Sequence, residues 1–156
     1  MALKLDFFPV YENITHDCDT VCERGGIATL ATAGSGVSLD GARNVVAYDA
    51  YGSGKKPIGI LEHDVVNKDL THNWLVGTLG EVQVGSKVTL LGVGRVTTNF
   101  VYPGITVSPG DPAYVAHSGY ISNTRVNGGW SLVGMFETSK DQNGYATVFI
   151  NVPNAG

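Results

Sequence analysis

Short runs of alternating apolar and polar residues, separated by turn residues, fill the chain from Gly25 onward. Alternation places every second side chain on one face of a strand, so the pattern predicts half-buried β-strands. Eight strands are predicted, at Ile27–Thr32, Val45–Tyr51, Pro57–Leu61, Lys87–Leu91, Gly94–Val101, Ala113–Ala116, Ser131–Glu137 and Tyr145–Val152.

Turn signals between these runs favour antiparallel hairpins. Asn-Gly and Asp-Gly adopt positive φ at low cost, and the strongest hairpin prediction joins the last two strands across Asn143-Gly144. Gly92 and Gly94 are interpreted as turn or bulge positions. The one candidate helix is short, from Glu62 to Lys68, with Leu61, Val65 and Val66 as its apolar positions.

No amphipathic segment of helical length separates the strands, which argues against parallel α/β architectures. The prediction is therefore an all-β fold: a small barrel or sandwich of short antiparallel strands with little helix. Residues 1–24 are irregular and interrupted by Pro9, and are predicted to be an extended N-terminal arm. Residues 25–156 are predicted to be a single β-domain.

Composition agrees with the all-β prediction and excludes some classes of function. Glycine is abundant at 21 residues, which supplies turns, and only 15% of residues are charged. The net charge is −4 and the basic residues are scattered, so the phosphate-binding patch of a nucleic-acid-binding protein is lacking. No apolar run is long enough for a membrane span. The first ten residues, MALKLDFFPV, do not have the pattern of a signal peptide, so we expect synthesis in a cytoplasm and reduced cysteines.

A metal site is considered first among candidate chemistries. His16, Cys18 and Cys22 are residue types that zinc prefers, but a structural zinc site needs four ligands and no second pair lies nearby. The alternatives are two small buried thiols or a pair capable of forming a disulfide. We predict no metal and no cofactor.

Acid–base catalysis is the other candidate. Glu62, His63 and Asp64 are consecutive, with Asp69 and His72 downstream, but charged residues at a strand end explain the same pattern without catalysis. No nucleophile elbow or phosphate-binding loop is present in the sequence. The chain is predicted not to be an enzyme, with a small-barrel enzyme using His63 as the weakest alternative.

Apolar and aromatic residues in the arm and loops are the best candidates for contacts with other proteins. These residues are Phe7, Phe8, Val10, Tyr11, Trp74, Tyr102 and Trp130. Packing in the core or between subunits is the favoured role for the aromatic residues, and a ligand platform is the alternative. If Trp74 and Trp130 were exposed on one face, the chain would suit a module that binds carbohydrate or a host surface.

Five segments taken in order resemble the structural cement, or head decoration, proteins of tailed bacteriophages. They are GGIATLATAGSGVSLDG, KPIGILEHDVVN, EVQVGSKVTLLGVGRV, VSPGDPAYVAHSGYISN and VGMFETSKDQNGYATVFINVP. The likeness covers Gly25 to Pro153 and consists of turn-and-strand patterns in a shared order. Ala113 stands where the family commonly has a larger aliphatic residue, and the cysteine-containing arm matches no family motif.

The resemblance implies a non-enzymatic virion protein. Such a protein binds the outer surface of the expanded head and stabilises contacts between major capsid subunits. The implied partners are the major capsid protein and other copies of the chain, commonly as a homotrimer around a local threefold axis. Nucleic acid and membrane are not implied as partners. The arm is expected to become ordered on docking.

Overall fold

The computed structural model describes residues 3, 8–30, 45–47, 56–68, 80–125 and 131–152. Its strands are β1 (Phe8–Asn13), β2 (Asp17–Cys18), β3 (Ile27–Leu30), β4 (Val45–Ala47), β5 (Pro57–Leu61), β6 (Asp64–Val66), β7 (Glu81–Gln83), β8 (Leu90–Thr98), β9 (Pro112–Val115), β10 (Ile121–Ser122), β11 (Leu132–Phe136) and β12 (Ala146–Asn151). A short 3₁₀ turn, His117–Gly119, links β9 to β10. The predicted all-β class is confirmed.

One ten-stranded sheet contains most of these strands and curls into a nearly closed barrel. Its order is β10-β9-β11-β12-β8-β5-β3-β4-β2, and β1 pairs with β8 outside that path. The pairs are antiparallel except for β2 with β4, and a separate small sheet is formed by the parallel strands β6 and β7. The predicted barrel of short antiparallel strands is therefore observed.

The inward face of the barrel carries the main core. Phe136, Val148 and Val96 face inward from β11, β12 and β8, and each is almost completely buried. A second core cluster includes Cys18, Cys22, Leu61, Val65 and Leu90. Burial of aliphatic and aromatic side chains at about 25 cal/mol per Å² supplies the main driving force for folding.

Gly134 lets two strands approach closely at the centre of the barrel wall. It lies opposite Ile150 of β12 and Ala113 of β9. A Cβ atom placed on Gly134 would lie 1.9 Å from the carbonyl oxygen of Phe149, so no side chain fits there. Ala113, which lies opposite Gly134 on β9, is also small and suits the close approach of the strands here.

The last hairpin is confirmed, and its turn is held by one side chain. Asp141 Oδ1 accepts hydrogen bonds from the backbone N–H groups of Asn143 and Tyr145, both at 2.8 Å. Gly144 adopts a φ of 81°, which glycine tolerates without strain. These contacts fix the register in which β11 and β12 pair.

The predicted helix at Glu62–Lys68 is wrong, because β6 occupies Asp64–Val66 and pairs in parallel with β7. Leu61 and Val65 are both buried, but they lie on two strands that follow one another. Their four-residue spacing imitates one face of a helix.

Gly92 and Gly94 are not turn positions, because β8 runs through both of them. The bulge alternative holds at Gly92: Tyr11 and Glu12 of β1 pair with Val93 and Leu91, so Gly92 is an extra residue of β8 in this pairing. The second register shift lies in β1, where Val10 is the extra residue between Pro9 and Tyr11. A Cβ on Gly94 would lie 2.5 Å from the carbonyl oxygen of Phe8. Glycine at this position therefore lets β1 lie close against β8.

Candidate functional site: an exposed apolar surface around β1

Strand β1 exposes almost all of its side chains. Val10 is 76% exposed, Phe8 62% and Tyr11 49%, and only Asn13 at the strand end is half-buried. Single exposed apolar residues are common, but a cluster on one strand marks an interaction site in a folded protein. Ile14, in the turn that follows, adds a further exposed aliphatic side chain.

Cross-strand pairing extends this apolar surface over the barrel. Residues directly opposite one another in antiparallel strands share a face. Phe8 lies opposite Arg95, Arg95 opposite Phe149, Phe149 opposite Met135, and Met135 opposite Pro112. We call these five residues the outer row. It crosses five strands and spans roughly 20 Å at the usual strand spacing.

The outer row is exposed and mainly apolar. Met135 is 46% exposed and Phe149 36%, and Pro112 is also exposed. Arg95 Nε lies 2.7 Å from Glu137 Oε2, so the one cation of the row is neutralised by an ion pair. The aliphatic part of the arginine side chain lies between two aromatic neighbours and preserves the apolar character of the row.

The turn after β1 fixes this strand to the barrel. Asn13 Oδ1 accepts hydrogen bonds from the N–H and hydroxyl groups of Thr15, at 2.9 and 2.6 Å, and Asn13 Nδ2 lies 3.2 Å from His16 Nε2. The carbonyl group of the buried His16 accepts a hydrogen bond from the N–H of Val88. These contacts fix the turn at the end of β1 against the barrel.

His16, Cys18 and Cys22 are buried in the body of the molecule. Cys18 and Cys22 belong to the second core cluster, and the backbone of Cys22 exchanges two hydrogen bonds with Val65. The boundary between an arm and a β-domain at residue 24 stays a prediction. The exposed parts of this segment are β1 with the turn beside it and the short loop that carries Val21.

A carboxyl pair lies between β1 and the end of β5. Burial raises the pKa of Glu62 to about 7, and the nearby Glu12 carboxyl group of β1 adds to the shift by repulsion and by hydrogen bonding. The folded state therefore favours protonated Glu62, and this preference destabilises the fold as pH rises from the ordinary glutamate pKa through 7.

Glu62→Gln is expected to stabilise the fold at pH 8 by about 1 kcal/mol, allowing for solvent screening of a half-exposed group. Below pH 4.5 the carboxyl group is protonated in both states, so the variant should gain nothing there. Thermal unfolding at pH 4 and pH 8 measures the difference. Equal gains at both pH values would contradict the carboxyl pair as the cause, and Gln83→Ala serves as an exposed control.

The predicted contact residues divide into three groups. Phe8, Val10 and Tyr11 lie together on β1. Tyr102 is half-buried, its ring packs edge-on against Tyr120, and its carbonyl group accepts a hydrogen bond from Lys140 Nζ. Three lie outside the described residues: Phe7, Trp74 and Trp130. Their role at an interface therefore stays a prediction, and so does the carbohydrate platform that requires both tryptophans.

Sequence reasoning missed Met135, Phe149 and Pro112. The missed signal is a large apolar residue at an outward position of an alternating strand, as in Met135 beside the buried Phe136 and Phe149 beside the buried Ile150. Only the register across the sheet shows that they align with Phe8.

The acid–base candidates have separate surroundings. Glu62 interacts with Glu12, whereas Asp64 Oδ1 accepts a hydrogen bond from the backbone N–H of Arg24 at 2.8 Å. Asp69 and His72 lie outside the described residues. Within the described ranges, no three or more histidine, cysteine, aspartate or glutamate side chains are grouped so that they would hold a metal ion.

Comparisons with known proteins bear on the fold. Neither a scan against protein-family models nor a search of curated proteins finds a match. A chain of the solved structure "The capsid of Myoviridae Phage XM1" superposes with a TM-score of 0.59 at 14% sequence identity, covering 92% of this chain and 84% of that chain. At this identity the likeness shows a shared fold. Among the described residues, no helix has the length and apolar character needed to cross a membrane.

Proposed function

We propose that this chain is a non-enzymatic structural protein of a phage virion that binds the outer surface of the expanded head. It stabilises the contacts between neighbouring major capsid subunits there. The observation that carries the proposal is the exposed apolar surface of β1 and the outer row. The fold that presents this surface is shared with a chain from a phage capsid structure.

The exposed side chains of β1 suit the centre of a protein interface. Aromatic residues anchor most interfaces, and Phe8 and Tyr11 are held on a paired strand. Full burial of a phenylalanine or valine side chain contributes about 1.5–3 kcal/mol. Three such residues on one strand are therefore enough to anchor a docking contact, once the rest of the surface excludes water.

Binding of such a protein to the capsid stabilises the shell by mass action. A protein that binds the expanded shell better than the unexpanded one shifts the equilibrium towards the expanded shell. In this proposal the partners are the major capsid protein and other copies of this chain, arranged as a trimer on the shell. Its place is the outer surface of the virion, after synthesis in the host cytoplasm.

The proposal is tested by mixing the purified chain with emptied, expanded heads assembled without it, and separately with unexpanded heads. Co-sedimentation is expected to saturate on expanded heads and to be weaker on unexpanded ones. The heads with bound protein should also withstand higher temperature before they rupture.

Failure to bind expanded heads at micromolar concentration would overturn the proposal. Binding to a glycan array together with failure to bind heads would support the carbohydrate-binding alternative instead. Sedimentation equilibrium of the isolated chain separately measures whether trimers form before docking.

A further inference from the structure

Cys18 and Cys22 form a close pair of buried thiols. Their Sγ atoms lie 3.7 Å apart, and Cys18 is 0% exposed. Both S–H groups are within hydrogen-bond distance of the carbonyl oxygen of Thr20, at 3.3 and 3.4 Å. A disulfide bond is about 2.05 Å long, so closing this pair requires small side-chain rotations.

The backbone holds both cysteines at the ends of a short loop. The N–H of Cys18 donates to the carbonyl of Ser86, and its carbonyl accepts from the N–H of Gly85. Cys22 exchanges backbone hydrogen bonds with Val65 at 3.1 and 2.7 Å. Because two separate elements hold the two residues, the fold keeps the sulfur atoms together with little freedom to part.

An open groove gives access to one of the thiols. It has a volume of about 450 Å³ and is lined by Cys22 together with residues of β6 and the adjoining loop. Val21 and Arg24 also line it. A small reagent in this groove lies next to Cys22, whereas Cys18 is completely buried.

We propose that Cys18 and Cys22 are a redox-sensitive pair that forms an intramolecular disulfide when it meets a low-molecular-weight disulfide such as oxidised glutathione. In the first step, the thiolate of one cysteine attacks a glutathione sulfur, the glutathione S–S bond breaks and one reduced glutathione leaves. The second cysteine then attacks the mixed disulfide and releases the other reduced glutathione. Two protein thiols lose two electrons and two protons, and one oxidised glutathione becomes two reduced ones.

Cys22 is the thiol that a reagent in the groove meets first, because it lines the groove whereas Cys18 is completely buried. Cys18 then serves as the resolving thiol. The hydrogen bond from Cys22 lowers the pKa of the Cys18 thiol to about 7, outweighing the burial that raises it, and Thr20 adds a further lowering contact. A thiolate with a pKa near the ambient pH reacts fastest in thiol–disulfide exchange, which favours the resolving step.

The disulfide would join the two ends of the loop that carries the exposed Val21. It would thereby tie the segment after β1 more firmly to the second core cluster. This inference stands on the cysteine geometry and does not depend on the proposed function, since it holds for the isolated chain.

The test uses the full reduced chain in glutathione buffers of graded redox potential, with alkylation of remaining thiols and intact-mass measurement. A monomer lighter by two hydrogen atoms, with no alkylated thiol, is the expected product. The equilibrium constant for disulfide formation should be at least tenfold larger in the folded chain than in the same chain in urea. Folding and disulfide formation are thermodynamically linked, so the ratio of these two equilibrium constants also measures how much the disulfide stabilises the folded state.

Two variants separate the steps. Cys18→Ser should accumulate a glutathione adduct on Cys22, and Cys22→Ser should form its adduct at least tenfold more slowly. The inference is overturned if the folded wild-type chain keeps two alkylatable thiols in oxidised glutathione, or if its equilibrium constant does not exceed the value in urea. The comparison with urea needs no variant, so it decides the question even if a serine substitution prevents folding.

Discussion

Replacing Phe8 and Val10 together with serine is expected to weaken binding to expanded heads about a hundredfold. Each side chain contributes about 1.5–3 kcal/mol when it is fully buried, and 1.4 kcal/mol corresponds to a tenfold change in affinity. Both residues are exposed in the isolated chain, so the double variant should keep its fold and its thermal midpoint. Titration of labelled protein onto emptied heads, followed by sedimentation, measures the dissociation constant.

Val21→Ser is the matched control, since Val21 is equally exposed but lies outside β1 and the outer row. Its affinity for heads should stay within twofold of the wild type. An unchanged affinity for the folded Phe8/Val10 variant would refute β1 as the docking strand. Removing residues 1–20 is a poorer experiment, because it also removes the buried Cys18 and His16.

Variants of the outer row distinguish docking through β1 alone from docking across the whole row. If docking uses β1 alone, Phe149→Ser should leave the affinity unchanged, whereas a contact across the whole row predicts a loss of about tenfold. Arg95→Ala leaves Glu137 without its ion-pair partner in the middle of an apolar face, so it tests whether the contact is desolvated.

Alternation and turn chemistry were sufficient to predict β9, β11 and β12, but not the two-residue strand β10. The turn between β11 and β12 is encoded by residues close to both strands, such as Asn143-Gly144. In such a hairpin, the residues that determine the pairing are close to both strands in the sequence. The predicted strand at Pro57–Leu61 also matches β5, whose mainly buried residues form a continuous apolar run.

Strands β1, β6 and β7 could not be predicted, because none of them pairs with its partner through a local hairpin. β1 pairs with β8, about 80 residues later in the chain, and its exposed side chains show no inward–outward alternation. β6 and β7 pair in parallel, a contact that no hairpin turn signals. Where a partner strand is distant, a single sequence carries no local trace of the pairing.

The candidate surface was predicted in part. Residue type and position in the chain mark Phe8, Val10 and Tyr11 of β1 as contact candidates, and the structure adds that they are exposed. The other members of the outer row required the register of five strands, which turn positions alone do not determine. Phe149 thus belongs to the surface because the strand register places it on the other side of Arg95 from Phe8, and not because of its neighbours in the chain.

Gly134→Ala is expected to cause the largest loss of stability, roughly 3–5 kcal/mol and about 10 °C in the thermal midpoint. The added Cβ would lie 1.9 Å from the carbonyl oxygen of Phe149 and 2.9 Å from its carbonyl carbon. These are backbone atoms of β12, so relief requires β11 and β12 to separate and the hydrogen bonds between them to lengthen. Urea unfolding followed by circular dichroism measures the change.

Gly92→Ala is the control, because its added Cβ would meet the Tyr11 ring at 2.6 Å. A side chain on the surface can rotate away, so the expected cost is about 1 kcal/mol. The two glycines lie in the same sheet, and the difference between the variants isolates obstruction by backbone from obstruction by a movable ring. Equal stability losses would mean that β11 and β12 can move apart at Gly134 at little cost. The close approach of the two strands would then not restrict this position to glycine.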